Sequence, residues 1–258
     1  MIQRYDHLVT LGCSMRIIGH RGARGEAPEN TLGGFQYIQE IGIRAVEFDV
    51  RQLKDDSLIV IHDDDFLRTT GQQKYLYECL STDLCGYDHT LNWADWNQIE
   101  TTPLLDQTLK LIQNFDHIEV EVKAVKTETE AEKITDALHQ HLKGFEHTAV
   151  ITSFDPKILN ALQQQNSVFK RGLLIETDIG IEAINQALEL ECCQIGWMNE
   201  LASDDIIKAT QSANLDISVW TVNNIDRAKQ LHDLGIQGLI TDFPKLMMQH
   251  FENFILIK

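Results

Sequence analysis

No run of apolar residues in this 258-residue chain is long enough for a membrane-spanning helix, which needs about 18 or more. Cysteine is scarce and poorly spaced for ligation. Cys13, Cys79, Cys85, Cys192 and Cys193 form an odd set with no CxxC pair. That argues against a disulfide framework and a thiolate zinc site, and it favours a reducing, cytoplasmic setting. Basic charge is in deficit, with 22 Lys and Arg against 39 Asp and Glu, a net charge of −17 and a pI near 4.9. Such a surface repels the phosphates of nucleic acids and anionic lipids, so neither nucleic-acid binding nor stable membrane association is expected. An anionic small molecule stays compatible where a local cluster of Arg, Lys and metal ion reverses the field. Low-complexity linkers and internal repeats are also missing, and 43% hydrophobic residues suffice for a full core. We therefore read residues 16–258 as a single domain and residues 1–15 as a non-functional N-terminal extension. Its apolar stretch Leu8–Cys13 is too short for a signal-peptide core, and Met15 is a candidate translation start.

From residue 16 a strand-then-helix rhythm repeats. Strands are expected at 16–19, 45–50, 118–123, 148–153, 171–175, 193–197, 216–222 and 237–241. Amphipathic helices are expected at 31–42, 104–115, 128–142, 155–165, 180–190, 203–213 and 224–234. Asp155-Pro156 and Ser203 supply amino-terminal caps. Lys54-Asp55-Asp56-Ser57 signals a turn, so Leu58–His62 reads as the return arm of a hairpin and not as a barrel strand. Eight strands remain, the number that closes a (β/α)8 TIM barrel, an α/β fold. Residues 63–103 show little periodicity and read as a small insertion after the second strand, lying over the barrel mouth.

The residues that carry chemistry fall at strand ends, which share one mouth in such a barrel. The stretch 16–31 organises the rest. An apolar strand delivers His20 and Arg21 onto a turn with Gly22, Gly25 and Pro28, and Asn30 or Thr31 can cap the helix that follows. Glu47 and Asp49 lie two apart and so face one side, as do Glu119, Glu121 and Lys123. The plainer alternative for Glu47 and Asp49 is a salt-bridged strand end. Buried carboxylates together nevertheless require a cation. Glu47, Asp49 and Glu121 suit a hard divalent ion, Mg2+ or Ca2+, and Glu121 is preferred to Glu119 because it lies nearer the strand end. His20 and His62 can act as paired general acid and base, while Arg21 and Lys123 offer positive charge to a phosphoryl group. Together these residues read as metal-assisted phosphodiester cleavage. His139, His141 and His147 are expected in solvent.

These residues carry a resemblance. His20-Arg21-Gly22-Ala23, Pro28-Glu29-Asn30-Thr31, Glu47-x-Asp49, His62-Asp63 and Arg68-Thr69-Thr70-Gly71 resemble the glycerophosphodiester phosphodiesterase family, a phospholipase C-like phosphodiesterase barrel. Glu121-x-Lys123, Ser153-Phe154, Trp220-Thr221-Val222-Asn223 and Thr241-Asp242-x-Pro244 continue the match through residue 244. The resemblance implies a (β/α)8 barrel and a divalent-metal-dependent enzyme that releases sn-glycerol 3-phosphate and an alcohol from small glycerophosphodiesters. It implies His20 and His62 as the acid–base pair and Glu47, Asp49 and Glu121 as metal ligands. Arg21 and Lys123 would contact phosphate, and Trp220 would form an aromatic wall near the glycerol end. A ring packed in the core is the alternative for Trp220. Attack by a substrate hydroxyl through a cyclic phosphate and direct attack by water both stay open. Two other readings are a lysophospholipase D-type phosphodiesterase and, against the paired histidines, a non-catalytic phosphodiester-binding module. Barrel helices are compatible with a homo-oligomer, although no stretch marks an interface.

Overall fold

The computed structural model describes residues 15–255; the N-terminal extension expected over 1–15 falls almost wholly outside them. Eight parallel strands close on themselves: β1 (Arg16–His20), β2 (Ala45–Gln52), β4 (His117–Val122), β5 (Ala149–Ser153), β6 (Lys170–Ile175), β7 (Gln194–Met198), β8 (Asp216–Trp220) and β9 (Gly238–Thr241). Pairing of β1 with both β9 and β2 completes the ring. The strand β3 (Leu58–Val60) pairs antiparallel with the end of β2 through Val50–Val60 and Gln52–Leu58, so it is the hairpin arm and stays outside the ring.

A helix follows every barrel strand. These are α1 (Leu32–Glu40), α3 (Leu105–Leu111), α4 (Glu128–His141), α5 (Pro156–Gln164), α6 (Glu182–Glu189), α7 (Asp204–Ser212), α8 (Ile225–Asp233) and α9 (Pro244–Ile255), with the one-turn α2 (Leu67–Thr70) inside the insertion. Helix α9 was not among the helices expected from the sequence. Pro244 opens it, at a position where its missing N–H costs no hydrogen bond. Side chains set the starts of the others: Asp155 accepts from the Lys157 N–H before α5 and Ser203 from the Ile206 N–H before α7.

Strand alternation divides the core. On β2, Val46, Phe48 and Val50 point outward and pack with Phe35, Ile38 and Leu105 under the helices. A second outer cluster gathers Trp197, Ile217 and Val219 against Ala228 and Leu231. The barrel interior holds a small apolar plug of Ile18, Ala45 and Ile240, with Trp220 against it. Above the plug many of the inward positions are polar or charged, among them His20, Glu47, Glu121 and Lys123. That inversion, with apolar groups outside the sheet and charge within, is what the strand sequences encode with their buried Glu and Asp.

Candidate active site

The site starts from the turn after β1. Gly19 lets the chain fold back, because a Cβ there would lie 1.9 Å from the Gly22 carbonyl oxygen. Arg21 then adopts φ 51° and Gly22 φ 90°, the left-handed region that favours glycine. This aims the Arg21 backbone N–H at Glu47 Oε2, 3.0 Å away. The loop is closed by the Asn30 N–H donating to the Arg21 carbonyl at 2.9 Å. Asn30 is not the helix cap. Its Nδ2 donates to Asp49 Oδ2 at 2.7 Å, and Thr31 caps α1 by accepting from the Gly34 N–H at 3.0 Å.

Parallel register sets Asp49 beside Glu121 on neighbouring strands, with Glu47 one inward position below Asp49. One oxygen from each of Glu47, Asp49 and Glu121 lies within 4.8 Å of the others, and all three residues are buried. Glu119 lies one inward position below Glu121, where it lines the cavity floor and meets His117 Nε2 at 3.2 Å and the Ser218 hydroxyl. Lys123 Nζ pairs with Asp49 Oδ1 at 2.5 Å and with Glu121 Oε1. Arg21 Nε lies 3.4 Å from Asp49 Oδ2. Burial opposes ionisation of Asp49, but the Lys123 and Arg21 charges outweigh it and hold its carboxyl well below the usual range. Glu47 shifts the other way, well above its ordinary value, through burial and the charges of Asp49 and Glu121. Glu121 is pushed up to about 7 by burial and by Asp49, against the pull of Lys123. Three ionised carboxylates would outnumber the two cations, which is why Glu47 and Glu121 hold their protons, and the buried Glu47 Oε1 has no hydrogen-bond partner. An all-oxygen donor set with an orphaned buried carboxylate oxygen fits a hard divalent ion.

His20 and His62 reach this cluster from different sides, and each has a carboxylate on Nδ1. His20 Nδ1 is 2.6 Å from Asp242 Oδ1 at the end of β9, and its Nε2 lies 4.0 Å from Glu47. Asp242 is itself held by Asn223 Nδ2 at 2.8 Å. Burial lowers the His20 pKa, only partly offset by the Asp242 bond, which favours a neutral ring. His62 arrives from the hairpin, with Nδ1 2.8 Å from Asp63 Oδ1. Arg68 then links the two flanks. It donates to Asp63 Oδ2 at 2.6 Å and, through both terminal nitrogens, to the buried Glu29, which also accepts from Arg21 Nη1 at 2.9 Å.

His20, Arg21, Glu47, His62, Glu121 and Lys123 share one cavity of about 210 Å3 at the carboxyl ends of the strands. Trp220 lines the same cavity, with Nε1 donating to the Gly196 carbonyl at 3.1 Å and its ring edge-on to Phe154 at 5.4 Å between centroids. It also packs on the interior apolar plug. Arg24, Thr152 and Glu176 line the cavity as well, and sequence reasoning had not singled them out. Each stands within a few residues of a strand end, which is the one signal that could have found them. The insertion departs from expectation. Among the described residues none of 63–103 lines this cavity, and the segment packs beside the mouth against the 24–33 loop through Trp93 and Glu100. His139 and His141 are half-buried and bonded to Ser167 and Asp106, whereas His147 is exposed.

Residues 20–246 match the model of the glycerophosphoryl diester phosphodiesterase family. A glycerophosphodiester phosphodiesterase of Caldanaerobacter subterraneus is 26% identical over 90% of this chain and 96% of its own length. A human lysophospholipase D is 22% identical over 92% of this chain and 86% of its own. Among solved structures, a glycerophosphodiester phosphodiesterase of Agrobacterium tumefaciens is 25% identical with a TM-score of 0.76, covering 90% of this chain and 98% of that one. An Oleispira antarctica phosphodiesterase, solved with sn-glycerol 3-phosphate, has a TM-score of 0.83 at 23% identity, covering 93% of this chain and 97% of that one.

Proposed function

The chain belongs to the glycerophosphoryl diester phosphodiesterase family, and from that premise we propose that it hydrolyses glycerophosphodiesters to sn-glycerol 3-phosphate and an alcohol in a divalent-metal-dependent reaction. The observation that carries this reading is the meeting of a three-carboxylate cluster with two cations and two carboxylate-anchored imidazoles in one cavity. The product held by the Oleispira relative supports the same substrate class.

Glu47, Asp49 and Glu121 would hold Mg2+ or Ca2+, which supplies polarisation of the phosphoryl group. Arg21 and Lys123 place fixed positive charge against the phosphoryl oxygens, where negative charge grows in the transition state. Asp242 and Asp63 occupy the Nδ1 positions of His20 and His62, so each Nε2 is the atom left to exchange protons with substrate. One imidazole takes the proton of the attacking hydroxyl while the other, protonated, delivers one to the departing alkoxide. Phe154 and Trp220 give the carbon face of the substrate an apolar wall.

Release of glycerol 3-phosphate from glycerophosphocholine and glycerophosphoethanolamine, with EDTA and with Mg2+ or Ca2+ restored, tests the reading. Release that follows the metal is expected, and none under any condition would sink it. A lysophospholipase D-type reaction is the second reading, favoured by the exposed Leu67, Tyr77, Leu91 and Ile99 of the insertion and by the human relative. Lysophosphatidylcholine in the same assay measures it.

A further inference from the structure

The charged half of the cavity is accounted for by metal, phosphate and proton transfer. The opposite half is not. In the ring of strands β6 stands four places from β1, so its carboxyl end faces that of β1 across the barrel. Glu176 follows β6 directly and lines the cavity from that far side. Its side chain is exposed and has no hydrogen-bond or ion-pair partner among the described residues. An unmatched carboxylate is an odd wall for an anionic substrate, unless it meets a part of that substrate able to donate a hydrogen bond. Below it the buried Thr152, 1% exposed, also lines the cavity, and its hydroxyl lacks a partner. Thr152 is the in-register neighbour of Glu121. The Phe154–Trp220 pair lines the same cavity. Acceptors beside an apolar wall are complementary to a short polyol, whose carbons take the rings and whose hydroxyls take the polar atoms.

We propose that Glu176 accepts a hydrogen bond from the terminal hydroxyl of the substrate's glycerol and so selects deacylated glycerophosphodiesters over lysophospholipids esterified at that oxygen. The inference rests on the function proposed above, with the phosphoryl group at Arg21 and Lys123. In that orientation the inner hydroxyl falls beside Glu121 and Thr152, and the terminal one reaches the far wall. A site built to bind a hydroxyl discriminates strongly against an analogue that lacks it, because its acceptor is left unpaired. For an exposed carboxylate the preference expected is about tenfold to a hundredfold.

The test compares glycerophosphocholine, its analogue with propane-1,2-diol in place of glycerol, and 1-acyl lysophosphatidylcholine, on the metal-loaded wild type, Glu176→Ala and Glu176→Gln. Wild type should prefer glycerophosphocholine to the deoxy analogue by that factor in kcat/KM. Glu176→Ala should lose the preference by slowing on glycerophosphocholine while holding the deoxy analogue within about twofold, and it should gain on the lysolipid relative to glycerophosphocholine. Glu176→Gln, which keeps an acceptor oxygen, should retain part of the preference. Equal wild-type rates on glycerophosphocholine and the deoxy analogue would overturn the proposal and leave the phosphodiesterase reading intact. So would an equal loss on both substrates in Glu176→Ala. A loss confined to choline esters and absent with glycerophosphoglycerol would also overturn it, since the carboxylate would then face the head group. A wild type that cleaves none of these diesters removes the phosphodiesterase reading itself, and this proposal with it.

Discussion

His20 and His62 sit at different depths, with side chains 9% and 33% exposed. His20→Ala leaves the Asp242 carboxylate without its ring partner inside the barrel, which costs about 1–3 kcal/mol, whereas His62→Ala at the rim should be close to neutral for folding. Both should lower kcat on glycerophosphocholine by about 10²–10⁴-fold, while the rise in melting temperature on adding Mg2+ or Ca2+ persists. Full turnover in both variants would remove the acid–base assignment. Glu29 gives a pH test away from the carboxylate cluster. Burial opposes its ionisation, but Arg68 and Arg21 outweigh that and bring its pKa down from 4.5 to about 2. The unfolded chain therefore takes up this proton first as pH falls, so stability rises with pH across that window. The contribution is complete above pH 4.5 and is lost as pH drops toward 2, with a size on the order of 3 kcal/mol. Urea denaturation between these limits should show a steeper acid loss for wild type than for Glu29→Gln. Parallel curves would mean that the arginine cage does not hold a charged Glu29.

The β1–α1 loop is the element with least slack, since its turn is packed to backbone contact. Gly19→Ala drives a Cβ to 1.9 Å from the Gly22 carbonyl oxygen, and neither backbone atom can rotate aside. Destabilisation of about 1–3 kcal/mol is expected from overpacking, with loss of activity as His20 and Arg21 move. Gly86→Ala, with nothing within 4 Å of the added carbon, is the control and should shift urea stability by no more than about 1 kcal/mol. Elements of this kind differ in how far sequence alone discloses them. The barrel strands were readable because a buried strand is a short apolar run, and the carboxylates at Glu47, Asp49 and Glu121 interrupt it at the spacing of one face. The hairpin was readable from its turn. The insertion's position was not. Phe66, Leu76, Cys79 and Leu84 form their own cluster with Leu53, Ile59 and Ile61 behind the hairpin, which draws the segment beside the mouth. Its short 3-10 turns carry no periodicity from which that could be seen. The partner of His20 was equally hidden as a partner. Asp242 lies 222 residues from His20, and only closure of the ring brings them together.

At the scale of the whole molecule, a net charge of −17 and a buried carboxylate cluster oppose folding in the same sense. A divalent ion relieves both, but by separable routes. Screening of surface repulsion responds to ionic strength and hardly distinguishes one salt from another. Occupancy of the site is specific, and at a hundredfold excess over Kd it adds about 2.7 kcal/mol. For a chain of this length that corresponds to a rise in melting temperature of about 5–10 °C. Millimolar Mg2+ or Ca2+ should therefore raise the melting temperature well beyond NaCl of matched ionic strength, and EDTA should reverse the gain. Glu121→Gln separates the two routes in one variant, because it removes a ligand from the cluster while changing the surface field little. It should keep the response to NaCl and lose most of the response to divalent ions. A matched NaCl solution that gives the full gain in wild type would place the effect at the surface. The three carboxylates would then be a salt-bridged strand-end cluster held by Arg21 and Lys123.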